Sequence, residues 1–181
     1  MKEGPLLKPA RGGDVATILA ELGIPADYGA RRRLPLCEEA FELVSIGADV
    51  LGREQRLAPR AAAAWRRMRD AAERDGITLL VVSGFRSVDY QRALIQKKLD
   101  NGRRIEDILK INAAPGYSEH HTGRALDITA PDCPPLEQGF ETTRAFAWLQ
   151  QHANDHGFRL SYPRDNPHGI TYEPWHWAFI S

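Results

Sequence analysis

The chain has 181 residues, with 24 lysines and arginines set against 24 aspartates and glutamates, so its formal charge is zero. That balance excludes a general nucleic-acid binder, which needs surplus basic charge to displace counterions from phosphates, and a polybasic membrane-surface protein. With 43% hydrophobic and 27% charged residues, the composition is that of one globular domain.

The first fourteen residues mix Lys2, Glu3, Lys8 and Arg11 with glycine and proline, so they carry no signal-peptide core, and no apolar run further on approaches the ~20 residues of a membrane span. If Met1 is the native start the protein is expected in the cytoplasm; otherwise in the cell envelope. Asp14 is placed to cap a short helix through Leu22, stopped by Gly23 and Pro25. Residues 26–33, rich in Gly, Asp and Arg, read as a surface connector. Residues 1–33 are thus taken as a tail with one short helix, and 34–181 as the domain proper. Leu57, Ala61, Ala64, Met68 and Ala72 recur at three- and four-residue spacing and predict a helix over 58–74. The β-branched run Ile77 to Val82 predicts a buried strand. Ser87 then caps a helix to about Leu99, and a short helical piece follows near Ile105 to Leu109. A strand is expected over Arg124 to Thr129, and a helix capped by Thr142 or Thr143 and closed by Gly157. The aromatic stretch Ile170 to Ile180 suits one or two strands. Unequal helical insertions between strands favour an α+β fold, a single domain with a small, mainly antiparallel sheet flanked by helices. Cys37 and Cys133 lie in no Cys-x-x-Cys pair and are expected as free thiols.

Chemistry concentrates in two segments. In the predicted strand, Leu126 and Ile128 face one way and Asp127 the other. Gly123 allows a sharp turn just before it, so that His120 folds back beside Asp127. An imidazole and a carboxylate held together supply two of the three protein ligands of a hydrolytic zinc site. The third comes from Glu173-Pro174-Trp175-His176-Trp177, where Pro174 interrupts regular pairing and lets Glu173 turn to the His176 side. A carboxylate beside the metal, but not ligating, is the general base that such hydrolysis uses, and Glu173 fits. His121 is expected to point elsewhere, into solvent. His152 and His156 share a helix face, but no Glu follows His152, so the His-Glu-x-x-His arrangement is missing.

The pattern Ser118-x-His120-x-x-Gly123-x-Ala125-x-Asp127, followed by Glu173-x-Trp175-His176 and preceded by Ser83-Gly84-Phe85-Arg86-Ser87 and Tyr90-Gln91, resembles the zinc D-alanyl-D-alanine carboxypeptidase family. That family includes the VanY/LdcB-like D,D- and L,D-carboxypeptidases of peptidoglycan, with a fold related to the Hedgehog signalling domain. The resemblance spans Leu57 to Ile180. It implies one Zn2+ per chain held by His120, Asp127 and His176, with Glu173 activating the zinc-bound water and then protonating the leaving amine. Arg86 would stabilise the oxyanion or grip a substrate carboxylate, and Gln91 and Ser118 would help bind the terminal carboxylate. The implied activity is removal of terminal D-alanine from peptidoglycan stem peptides or muropeptides, at a D-Ala-D-Ala or an L,D bond, by a monomer without nucleic-acid partners. A D-Ala-D-Ala dipeptidase or endopeptidase of the same fold, and a non-catalytic zinc-stabilised binding module, are the alternatives.

Overall fold

The computed structural model describes residues 12–180. Helix α1 (Gly12–Glu21) and helix α2 (Tyr28–Arg32) lead into a hairpin of strands β1 (Val44–Ala48) and β2 (Glu54–Leu57). Helix α3 (Pro59–Arg74) and strand β3 (Leu80–Ser83) follow, then helices α4 (Val88–Asp100) and α5 (Ile105–Ile108). Strand β4 (Ala125–Thr129), helix α6 (Arg144–His152) and strands β5 (Phe158–Leu160) and β6 (His176–Phe179) complete the fold. Four strands form one antiparallel sheet in the order β3-β4-β6-β5, so the fold is α+β as expected.

Helix α3 starts at Pro59, whose fixed φ suits a first helical position and whose missing N–H costs nothing there. Its stripe of Ala61, Ala64, Trp65, Met68 and Ala72 is fully buried and, together with Phe146 and Leu149 of α6, covers one sheet face through Leu126 and Ile128. A second core joins α1, α2, α4 and α5 through Val15, Leu19, Tyr28, Val88 and Ile95, and reaches Tyr162 and Ile170. Asp127, by strand alternation, faces away from the first core.

Several elements differ from the sequence reading. Helix α1 is described from Gly12, and Asp14, expected as its cap, falls within that range with its side chain outside the described residues. Residues 26–33 are not a surface connector: they contain α2, with Tyr28 buried. The Arg32 guanidinium there donates to the carbonyls of His168 and Gly169. Strand β3 starts at Leu80 because Ile77 is spent on the helix end, its N–H donating to Ala72 O at 2.8 Å across left-handed Gly76. Ser87 caps α4, accepting from Tyr90 N, and Thr143 caps α6, accepting from Phe146 N. Beyond His152 the helix tightens into a 3-10 turn, Ala153–His156, before Gly157. The β1–β2 hairpin and β5 had no counterpart in the sequence reading.

Candidate metal centre

The register places the site. On β4, Asp127 lies opposite Ser83 of β3 and His176 of β6. Facing residues on paired strands bring their side chains within reach of each other. The third residue arrives from the 3-10 turn Glu119–Thr122, which ends on Gly123 at φ +63°. This glycine cannot carry a side chain without a clash: a Cβ would sit 2.8 Å from Ala58 N. The tight reversal puts His120 Nε2 at 3.3 Å from Asp127 Oδ2, with His176 Nδ1 at 3.0 Å from Asp127 Oδ1. One ligand atom each of His120, Asp127 and His176 lies within 4.8 Å of the others, and all three residues are buried.

The second nitrogen of each ring decides what the first can do. His120 Nδ1 meets Gly84 O at 2.6 Å, a contact that needs a proton on Nδ1 and leaves the Nε2 lone pair free. His120 Nε2 is buried without a hydrogen-bond partner. Burial, then the nearby Arg86 charge, lowers the His120 pKa to about 4, so the ring is neutral. His176 Nε2 meets Glu119 Oε2 at 2.8 Å, which leaves Nδ1 as the nitrogen this ring could offer a metal once deprotonated. Burial opposes charge on His176, but hydrogen bonds to Asp127 and Glu119 outweigh it and raise the pKa to about 10. For Asp127, too, burial is outweighed, here by the charges and hydrogen bonds of His120 and His176, and its pKa falls below the ordinary carboxylate range. Two imidazole nitrogens and one carboxylate, one of them an orphaned buried acceptor, fit a zinc ion with an open fourth position.

Pro174 follows Glu173, and the chain turns there, His176 N donating to Glu173 O at 3.1 Å. The turn brings Glu173 Oε2 to 4.0 Å from His176 Nδ1. Burial raises the Glu173 pKa to about 7, Asp127 and Glu119 adding to the rise while His176 and Arg86 oppose it. Arg86 reaches Asp127 Oδ2 at 3.5 Å and donates to Gln91 Oε1 at 3.4 Å, while its buried Nε has no partner. Gln91 is itself buried and donates to Ala113 O. These groups, with Ser118 and Trp175, line a cavity of about 230 Å³.

Two residues of the site were not foreseen. The motif gives Glu119 no role, although metal-bound histidines almost always have an outer partner and Glu119 adjoins His120 in the chain. Hydrogen bonding and charge from His176 outweigh burial and hold the Glu119 carboxyl at about 2. His121 is not solvent-exposed: it is fully buried, its Nδ1 2.6 Å from Arg86 O while its Nε2 accepts from Gly116 N at 3.1 Å. It thereby pins the Arg86 backbone to the cavity's loop. His152 and His156 belong to no metal-sized group among the described residues; both rings lie against Trp148 instead. Cys37 and Cys133 are free.

A buried pair of histidines and an aspartate on an antiparallel sheet, with an adjacent carboxylate whose pKa is raised to about 7, has the make-up of a mononuclear metallopeptidase site. Within that class, the chain belongs to the VanY D-alanyl-D-alanine carboxypeptidase family, whose model matches residues 54–181. It is 33% identical to the bifunctional D-Ala-D-Ala dipeptidase and carboxypeptidase VanXYC of Enterococcus gallinarum over 136 residues, 68% of this chain and 67% of that protein. The LdcB LD-carboxypeptidase structure superimposes with a TM-score of 0.71 at 31% identity, covering 81% of this chain and 72% of that one. A mutant of the vancomycin-resistance D,D-pentapeptidase VanY, solved with Zn(II), gives 0.60 at 26% identity, covering 77% and 79%. The matched stretch spans 45% of YodJ from Bacillus subtilis (strain 168) and 43% of the D-alanyl-D-alanine carboxypeptidase of Enterococcus faecalis (strain ATCC 700802 / V583).

Proposed function

We propose that this protein is a zinc carboxypeptidase that hydrolyses the terminal D-alanine from peptidoglycan stem peptides. The observation that carries this reading is the placement of Glu173, its pKa raised to about 7, within 4.0 Å of His176 Nδ1 and beside the three converging ligand atoms. Relatives and solved neighbours named as D,D- and L,D-carboxypeptidases support it, as does the Zn(II) held by one of them.

His120 Nε2, Asp127 and His176 Nδ1 would hold one zinc. When bound, zinc supplies Lewis acidity toward the scissile carbonyl and lowers the pKa of water toward about 7. Glu173 takes a proton from the attacking water as its oxygen bonds to the carbonyl carbon. It then delivers that proton to the amine nitrogen as the C–N bond breaks, a role for which a pKa near the working pH is suited. Arg86, with an unpartnered Nε and a fixed backbone, donates to the oxygen on which negative charge develops. His121 and Gln91 keep the guanidinium in place.

Release of D-alanine from defined tetra- and pentapeptides by zinc-loaded protein tests the activity and separates the L,D from the D,D bond. Glu173→Ala is expected to lower the rate by roughly 10²–10⁴-fold, the usual contribution of a general acid–base group, with zinc content unchanged. Full activity in that variant would remove Glu173 from the mechanism.

A further inference from the structure

Helix α4 lines the same cavity as the candidate metal ligands, and Lys98 on that helix has no role in the chemistry above. Gln91 and Lys98 are seven residues apart, two helical turns and roughly 10 Å along the axis, so both face the cavity. The amide of Gln91 is engaged at both ends, by Arg86 and by Ala113 O. Arg86, the other long cationic side chain lining the cavity, lies 3.5 Å from Asp127. The Lys98 ammonium, by contrast, donates to the neutral side-chain oxygen of Asn112, and no carboxylate among the described residues lies within ion-pair distance of it. An ammonium carries three N–H donors, so two remain for a ligand. Lys98 is half-buried, and burial, followed by the charges of Arg103 and Arg86, lowers its pKa, with Glu173 opposing. A partly desolvated cation without an anionic partner, in a cavity that also holds the catalytic carboxylate, gains most from an anion that arrives with the substrate.

We propose that Lys98 is the specificity residue that receives a substrate carboxylate. Two groups of a stem peptide carry that chemistry: the free C-terminal carboxylate, and the side-chain carboxylate of a diamino dicarboxylic acid before the scissile bond. This inference rests on the carboxypeptidase reading for its substrate, and it adds that the cavity selects an anionic ligand by charge at a named position.

The test uses four peptides: a tetrapeptide with lysine at the third position, its C-terminal amide, the same tetrapeptide with diaminopimelate at that position, and that peptide with the side-chain carboxylate amidated. In zinc-loaded wild type, neutralising the recognised carboxylate is expected to lower kcat/KM by roughly 10–100-fold, as for loss of one partly buried charge-assisted hydrogen bond. Sensitivity to the C-terminal amide identifies the terminal group; sensitivity to side-chain amidation identifies the diamino acid. Lys98→Met should lower kcat/KM on the recognised substrate to that same level, through KM, and become indifferent to the amidation, while Lys98→Arg restores part of the preference. A Lys98→Met protein with wild-type kcat/KM, or with undiminished discrimination, overturns the proposal. Calorimetric Kd values for the same peptides on Glu173→Ala protein, with and without Lys98→Met, read recognition without turnover. If wild type releases no alanine yet the binding preference still depends on Lys98, the carboxypeptidase reading fails and this one stands.

Discussion

Removing the Glu119 carboxylate should weaken metal binding without touching a ligand. The His176 Nε2 to Glu119 Oε2 contact is 2.8 Å, between a side chain 4% exposed and one 27% exposed. In the neutral ring that a metal needs, it keeps the remaining proton on Nε2 and so presents the Nδ1 lone pair beside that of His120 Nε2. In Glu119→Ala the ring is free to carry its proton on Nδ1, where it donates to Asp127 and blocks both groups as ligands. A partly buried hydrogen bond to a charged group is worth about 1.5–3 kcal/mol. At 1.36 kcal/mol per tenfold, that is about 10–100-fold in zinc Kd, the range seen when outer-sphere partners of metal-bound histidines are removed. One effect opposes the loss. Glu119 also raises the His176 pKa, and zinc has to displace that proton, so removing Glu119 lightens the competition. The deficit should therefore be smallest near pH 7 and approach its full size toward pH 9–10. Zinc competition against a chromophoric chelator at both pH values reads this directly. Glu119→Gln, which keeps an acceptor oxygen, should lose less than about tenfold. A Glu119→Ala Kd equal to wild type at the higher pH would refute the reasoning.

Gly123→Ala places a side chain at φ +63° against backbone, and should cost on the order of 2–3 kcal/mol, a fall in Tm of several degrees by calorimetry; an unchanged Tm would show that the 40–43 loop and Ala58 yield freely. In chelator-treated protein the His176 proton stabilises the fold. Its pKa is raised from 6.5 to about 10, so that contribution is full below pH 6.5 and is lost as pH rises through 10. Metal-free protein should thus lose Tm across pH 7–10 more steeply than zinc-loaded protein, in which the metal has replaced that proton; parallel profiles would contradict the assignment.

What the sequence made legible was local. His120, Gly123 and Asp127 lie within eight residues, and strand alternation with one glycine turn suffices to juxtapose them. Pro174 likewise announced the bend that turns Glu173 toward His176. The pairing of Asp127 with His176, by contrast, is a register between strands some fifty residues apart, and residue spacing alone cannot set it. The β1–β2 hairpin stayed hidden because each strand buries a single side chain, Ile46 or Leu57, and shows no sustained alternation. Its turn was nonetheless written in Asp49, whose carboxylate accepts from Leu51 N and Arg53 N. His121 was misread because an adjacent pair of histidines on an extended chain would diverge. On the 3-10 turn Glu119–Thr122 both rings instead enter the protein, one toward the ligand cluster and one beneath Arg86.

The zero formal charge of the chain hides a site in which charges of both signs are buried a few ångströms apart. Asp127 and Glu119 are anionic, Arg86 and His176 are cationic, and His120 is neutral around pH 7, with Glu173 near its midpoint. Such a set is tolerable in low dielectric because each charge touches its complement: His176 lies between Asp127 and Glu119, and Arg86 rests on Asp127. The proton on His176 Nδ1 therefore occupies, electrostatically, the place a divalent cation would take. Exchanging one for the other adds a single positive charge to the cluster, and ionisation of Glu173 compensates it. In the proposed mechanism, metal binding and arming of the general base are in this way coupled through one shared balance, because a cation that displaces the His176 proton also favours the carboxylate form in which Glu173 would accept a proton from water.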